Sequence, residues 1–463
     1  MSKNNTATAV PPFGIKDKVG YMFGDLGNDF TFILSSSFML KFYTDVMGIS
    51  AGVVGGLMMA SRFIDAFTDV TMGQIVDRSR TKKDGKFMPW MKLACGPVAI
   101  TSFLIFQSAF ADMSYAFKII WMTITYILWG SIFYTAVNIP YGSMASAISS
   151  EPKDRAELST WRTIGATLAG LIIGAGVPLV AYVVVDGNTV LSGSRMTIIA
   201  GVFSILSLIC YFLCFRLTYE RVEVPANNRN LELGTLFKSL ITNRALLGII
   251  VAAILLLIAM LGIQGMAGYV FPNFYGSATA QSAASLIGSI AILVICAPLA
   301  ARLSSQFGKK ELSVVSTAFG AIVYSICLFV RPTNPYVYII FYTLAYIGFG
   351  FFNTVIWAMI TDVIDDAEIR NGVREDGTIY AVYSFARKLG QAASSGMIGG
   401  LLSMIGYTPE TAFDPVITEN IFRISCIIPA IGMGAVALAL SFLYPLNKRQ
   451  VEENSKKLKE KNT

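Results

Sequence analysis

The sequence predicts an all-α polytopic membrane protein, with twelve transmembrane helices in two six-helix halves and both termini in the cytoplasm. Three observations carry this. Of 463 residues, 54% are hydrophobic and only 14% charged, with mean hydropathy +0.60; a soluble domain carries roughly 25% charged residues. Apolar stretches long enough to cross a core of about 30 Å recur along the chain. The basic residues gather on one side of the topology those stretches imply.

The elements follow in order. Met1–Pro12 is polar and short, without a charged-then-apolar secretory pattern, so the chain is expected to begin in the cytosol with an arm at 1–19. Spans fall at about 20–44, 50–75, 89–110, 115–147, 159–185 and 194–216, an amino-terminal bundle over 20–217. The polar stretch Thr218–Gly234 opens a central cytoplasmic loop, 218–244. Ala245–Ala301 holds 57 residues without Asp, Glu, Lys or Arg and is interrupted only at Phe271–Gly276. It reads as two helices joined by a tight outer turn. Spans at about 312–331, 335–361, 377–405 and 420–445 complete a carboxyl-terminal bundle over 245–446, and 447–463 is a charged cytoplasmic tail. On this topology inner segments hold 27 of the 36 basic residues, outer ends five and spans four. That bias sets the orientation.

Composition excludes several functions. The chain has no histidine, which removes Ser-His-Asp and Cys-His nucleophiles, His-ligated metals and His proton relays. Its six cysteines lie in apolar runs without paired metal spacing, and read as packing residues. The net charge of +7 sits in loops rather than in a nucleic-acid patch. No nucleophile–base set is visible, so an enzyme is not expected.

Charges inside spans are functional candidates, because each costs at least about 2.5–3.5 kcal/mol at the bilayer centre. Helix 1 carries Asp25 and Asp29, helix 2 carries Arg62, Asp65 and Asp69, helix 5 begins with Arg162, and Arg387 with Lys388 interrupts helix 11. Asp25 and Asp29 share one helix face; Arg62, Asp65 and Asp69 form another stripe. Paired carboxylates in a low dielectric share a proton or hold a small cation, and one arginine cannot neutralise two aspartates. The alternative is structural neutralisation by Arg62. In helix 4, Thr135-Ala-Val-Asn138-Ile-Pro140-Tyr141-Gly142 puts a hydroxyl, an amide and a kinking proline near mid-membrane, lining a cavity or only packing. Tyr383 and Trp357 could stack on a sugar ring or belong to the core. Tyr141 and Trp161 stay undecided.

Two stretches resemble the inner loop of the major facilitator superfamily: Gly73-Gln-Ile-Val-Asp77-Arg78-Ser-Arg80 after helix 2, and a degenerate Arg302…Gly308-Lys309-Lys310 after helix 8. Two parallel halves imply a midplane cavity opened alternately by rocking. More specifically, the chain resembles the glycoside–pentoside–hexuronide:cation symporters of that superfamily, from Gly20 to about Leu446. The stretches are Tyr43-Thr-Asp45, Arg62-Phe-Ile-Asp65-Ala-Phe-Thr-Asp69, Gly85-Lys86-Phe87-Met-Pro89-Trp90, Asn138-Ile-Pro-Tyr-Gly142 and Asp362-Val-Ile-Asp365-Asp366-Ala-Glu368…Arg374-Glu-Asp-Gly377. The resemblance implies a cation site at Asp65, Asp69 and Thr135, with Thr68 where melibiose permease has asparagine, leaving Na⁺ and H⁺ both open. It implies a sugar site at Asp29, Asn138, Arg162 and Lys388, to which Asp25, Tyr383 and Trp357 are added. Melibiose permease has aspartate at Asn138 and tryptophan at Gly142, which argues against a melibiose-like galactoside; the Asn-Ile-Pro-Tyr-Gly run and the Arg387-Lys388 pair look closer to glucuronide and xyloside permeases.

The function expected is import of a glycoside, pentoside or hexuronide coupled to Na⁺ or H⁺, by a monomer in the inner membrane with no other cofactor and no structural metal. Four in-span cations and four in-span acids balance, which leaves a hexuronide and a neutral pentoside both open. Arg62, Asp77, Arg78, Asp362, Asp365 and Arg374 are expected to form a charge network gating the inner face, the alternative being a solvated charge run. The rivals are a carrier of a non-sugar solute and a sugar sensor that binds without translocating.

Overall fold

The computed structural model describes residues 11–82, 84–223, 243–371 and 376–462. Its twelve long helical rods are α1 (Ile15–Lys41), α2 (Ala51–Arg78), α3 (Met88–Ile105), α4 (Tyr115–Ile148), α5 (Lys153–Ala181), α6 (Gly193–Leu217), α7 (Arg244–Phe274), α8 (Ala278–Phe307), α9 (Lys309–Val330), α10 (Pro335–Asn371), α11 (Asp376–Met404) and α12 (Pro415–Phe442). A thirteenth, α13 (Lys448–Asn462), follows. Nine of the described helices are long and apolar enough to cross a membrane; the three rods that fall short are α1, α2 and α11. Each of these three carries charges inside its span, Asp25 and Asp29 on α1, Arg62, Asp65 and Asp69 on α2, and Arg387 and Lys388 on α11, and α5 adds Arg162.

Packing repeats between the halves. α1 lies against α5 and α6, and α7 against α11 and α12. The halves meet where α2 crosses α11, where α5 meets α8, and where the outer ends of α1 and α7 touch. Glycines set the first crossing: a β-carbon at Gly399 would lie 2.7 Å from the Gly55 α-carbon, and one at Gly55 would lie 2.8 Å from the Ser395 carbonyl oxygen. Small residues let two backbones approach in lipid, where dispersion and not water exclusion drives association.

Three features differ from the sequence expectation. The fifth span ends at Ala181, and Tyr182–Val185 pairs with Asn188–Leu191 as an antiparallel hairpin. Its turn, Asp186-Gly187, has φ of +50° and +81°, the conformation that two-residue hairpins favour with Asp-Gly. The central loop does not begin as a free linker. Arg221 and Val222 donate backbone N–H bonds to the Ala147 carbonyl, Arg221 pairs with Asp17 at 2.9 Å, and the Glu220 carboxylate accepts backbone N–H groups of Lys86, Phe87 and Met88. Those amides open α3, so Glu220 satisfies donors its first turn leaves unpaired. Burial pushes the Glu220 carboxyl above its ordinary range, against the pull of those N–H groups and Lys86. The tail, finally, is a docked helix: Asn454 donates to Asp366 at 3.1 Å and Lys448 to the Gln306 carbonyl at 2.8 Å.

Among the described residues, side-chain hydrogen bonds between the halves occur in two places. One is the outer end. Lys41 is buried, pairs with Asp45 at 2.8 Å, and donates to Asn273 at 2.6 Å and Tyr407 at 3.1 Å. The hairpin adds Tyr182 to the Gly268 carbonyl and Thr189 to the Gly276 carbonyl. The second place is mid-span, at Lys388.

Candidate functional site

α2 carries Asp65 and Asp69 on one face, and α4 presents hydroxyls to them because its backbone widens. Leu128–Tyr134 is a π-helical stretch, an irregularity that often marks functional sites. It turns Gly130, Ser131 and Thr135 toward α2. Ser131 donates to Asp65 Oδ1 at 2.5 Å, and Thr135 donates to Asp69 Oδ1 at 2.8 Å. Gly130 leaves room: a β-carbon there would lie 3.7 Å from Asp65 Oδ1.

The other two carboxylate oxygens face cations. Arg62 Nη1 donates to Asp65 Oδ2 at 3.1 Å, with its guanidinium over the Phe32 ring at 5.0 Å. Lys388, from α11 in the other half, is paired with Asp69 Oδ2 and donates to the Asp65 carbonyl at 3.1 Å. All four carboxylate oxygens therefore accept from protein donors, and two cations balance two anions. This brings Lys388, expected at the sugar, into the cation cluster. Thr68 donates to the Asp65 carbonyl of its own helix at 3.2 Å and does not reach a carboxylate.

The remaining candidates lie on α1, α4 and α5. Arg162 Nε donates to Asp25 Oδ1 at 2.9 Å, with the guanidinium over the Tyr141 ring at 5.3 Å. A β-carbon at Gly142 would lie 3.9 Å from Arg162 Nη1, so no side chain there covers that nitrogen. Asp29 and Asn138 make no hydrogen bond among the described residues and are left to accept and donate elsewhere. Tyr141 exchanges hydroxyl–carbonyl bonds with Tyr21, and the two rings stack at 4.6 Å. It fastens α4 to α1. Trp357 of α10 and Tyr383 of α11 meet edge to face at 5.0 Å, under the Arg387 guanidinium.

Of the expected gating set, Arg62 is on Asp65. Asp362 pairs with Lys309 of its own half at 2.6 Å. Asp77 offers its backbone carbonyl to Lys86. Arg78 and Asp365 both have partners. Arg374 lies outside the described residues.

A space of about 50 Å³ separates the halves above the cation cluster, bounded by Ser36, Lys41, Arg62, Gln264, Gln391 and Ser394. At about 10–15 Å³ per water it holds a few waters and no sugar ring. Sequence reasoning missed Ser131 and the outer cluster at Lys41. Ser131 precedes Thr135 by four residues, a spacing that shares a helix face, and that was the available signal.

The family described as MFS/sugar transport protein matches residues 20–448. The chain is 32% identical over 441 residues to a Bacillus subtilis (strain 168) protein named uncharacterized symporter YjmB, covering 94% of this chain and 93% of that one. It is 29% identical over 443 residues to the glucuronide carrier protein homolog of Escherichia coli (strain K12), covering 94% and 93%. Among solved structures it resembles a bacterial homolog of the human lysosomal transporter Spinster, with TM-score 0.65 at 11% identity over 96% of this chain and 99% of that one. That likeness is one of fold alone.

Proposed function

The chain belongs to the MFS/sugar transport family of multi-pass membrane transporters, and on that premise we propose that it imports a sugar in symport with Na⁺ or H⁺. The observation that carries the coupling is Lys388. It reaches across from the carboxyl-terminal half and occupies the carboxylate pair Asp65 and Asp69 on α2. A coupling cation and the Lys388 ammonium compete for the same oxygens, because like charges repel strongly in a low dielectric. Binding the cation therefore releases the mid-span link between the halves.

Sugar hydroxyls then have partners on the amino-terminal half. Among the described residues Asp29 and Asn138 make no hydrogen bond, and Arg162 uses Nε on Asp25 while keeping its terminal nitrogens. Occupied from both sides, the carrier rocks, which is the motion two packed repeats permit. One charge falling through 100 mV supplies about 2.3 kcal/mol. That sustains a sugar gradient of roughly 50-fold, at about 1.4 kcal/mol per factor of ten.

The test is uptake of radiolabelled methyl-β-glucuronide and methyl-β-xyloside into energised vesicles, with and without Na⁺. Uphill uptake of one of them, abolished in Asp65→Cys and Asp69→Cys, is expected, and its ion dependence names the coupling cation. Full cation-driven accumulation in both variants would sink the assignment of the site. Counterflow separates this function from that of a sensor, which binds and does not exchange.

A further inference from the structure

The in-span charges do not all find partners. Arg62 takes Asp65, Arg162 takes Asp25 and Lys388 takes Asp69. Left over are Asp29 on α1 and Arg387 on α11; neither has an ion pair or a hydrogen bond among the described residues. One unengaged carboxylate thus lies in the amino-terminal half and one unengaged guanidinium in the other. An unpaired charge inside a span is costly and persists where a ligand uses it.

Arg387 is braced without being neutralised. Its guanidinium carbon lies 5.6 Å from the Trp357 ring centroid and 6.0 Å from that of Tyr383. Tyr383 sits one turn earlier on the same helix and is buried; Trp357 comes from α10 and keeps 42% of its surface exposed. Ring faces attract a guanidinium yet leave its N–H fork unspent. That planar fork matches a carboxylate or sulfonate with two parallel hydrogen bonds.

We infer that Arg387 is an anion subsite for the transported sugar, taking the acidic group of a sugar acid while Asp29, in the opposite half, accepts its hydroxyls. This rests on the sugar-transport function above and narrows the substrate to a negatively charged sugar. The neighbouring residue adds to it. Lys388 sits about 100° further round the helix and is held on Asp69 until a cation displaces it. Cation binding therefore sets a second positive charge free beside Arg387. An acidic sugar gains from both charges, and a neutral glycoside gains from neither. A substrate gripped by Asp29 and Arg387 also spans the two halves, as a ligand that triggers rocking must.

The test compares methyl-β-glucuronide with methyl-β-glucoside, which share their ring hydroxyls and differ at C6, in energised vesicles holding wild type, Arg387→Gln or Arg387→Lys. Wild type is expected to favour the acid by about ten- to a hundredfold in kcat/KM, the range of one charge-assisted contact. Arg387→Gln should bring that ratio near one by losing the acid and not the glucoside. Arg387→Lys, which keeps the charge and loses the fork, should retain part of the preference; if the glutamine variant does not reach the membrane, the lysine variant carries the test. Equal handling of both sugars by wild type, or an unchanged preference in either variant, overturns the subsite and leaves sugar transport standing. Accumulation of neither sugar, by vesicles shown to hold folded wild type, overturns the sugar function and the subsite with it.

Discussion

Replacing Lys388 with glutamine should tighten cation binding while weakening transport. The ammonium is paired with Asp69 and donates to the Asp65 carbonyl; without it the cluster passes from two cations against two carboxylates to one against two. A bound ion no longer has to displace a competitor. A hydrogen bond to a charged group contributes about 1.5–3 kcal/mol net, so losing it should lower the half-saturating cation concentration roughly 10- to 100-fold. The assay is the thermal midpoint of the purified protein titrated with Na⁺ at fixed pH, and separately with pH in Na⁺-free buffer. A ligand that binds only the native state stabilises it by RT ln(1 + [L]/Kd), so the titration midpoint reads the affinity directly. Uphill sugar accumulation should fall in the same variant, because binding then releases no link between the halves. Unchanged or weaker affinity for both ions, in a variant that still unfolds cooperatively, would refute the idea that Lys388 stands in the cation's place.

Ser131→Ala removes the 2.5 Å donor to Asp65; the half-saturating cation concentration should shift about fivefold, for a bond worth about 1 kcal/mol, and an unmoved titration would place Ser131 outside the site. Gly399→Val forces a side chain against the Gly55 backbone and should cost about 1–3 kcal/mol, read as a lower thermal midpoint; an unchanged midpoint would mean that α2 and α11 are not closely packed there. Glu220 gives a pH test whose sign is fixed by its surroundings. Burial raises its carboxyl above the ordinary value of 4.5, so the folded state binds that proton more tightly than the unfolded chain. Its contribution is full below that ordinary value and is lost as pH rises through the raised folded value. The midpoint of wild type minus that of Glu220→Gln should fall as pH goes from about 4 to about 7, and a difference that grew over that range would contradict the assignment.

Much of this was legible in residue spacing. Asp65 and Asp69 at i and i+4 announced a two-carboxylate stripe, and Thr135 was readable as its partner from the resemblance. The Arg62–Asp65 pair also follows from spacing, since i and i+3 share a face. What spacing could not reveal is which distant helix supplies the last cation. Lys388 and Asp69 are 319 positions apart, and only the α2–α11 crossing joins them. Ser131 stands one turn before Thr135, a signal that spacing did offer; what spacing did not show is the π-helical stretch Leu128–Tyr134, whose wider turn shifts the register of α4. The hairpin at Tyr182–Leu191 was missed because its apolar strand continues the fifth span without a break in hydropathy. There the Asp186-Gly187 pair was the signal.

The outer cluster shows how the internal repeat bears on the site. α1 ends at Lys41 and passes into a π-turn, Phe42–Val46; the α-helical part of α7 ends at Tyr269 and passes into another, Val270–Phe274. Asp45 and Asn273 hold the fourth position after those ends, and Gly48 and Gly276, both at φ +64°, the seventh. Lys41 reaches its own Asp45 and, across the junction, Asn273 and the Tyr269 ring at 4.5 Å. Corresponding positions of the two repeats thus clasp one another at the outer end, and Tyr407 closes the network on Asp45 at 2.8 Å. Below that clasp, the described side-chain hydrogen bonds between the halves are those of Lys388. A cation at Asp65 and Asp69 can remove the second tie but touches none of the first. On the proposed coupling, a cation alone would loosen the middle of the molecule and leave its outer end shut; opening that end breaks the bonds that cross it, Lys41 to Asn273 and Tyr407 and Tyr407 to Asp45, each a hydrogen bond to a charged group that contributes about 1.5–3 kcal/mol. If the chain couples a cation to sugar as proposed, the clasp that holds the outer end closed would keep a lone cation from passing through, which is what joint transport of ion and sugar requires.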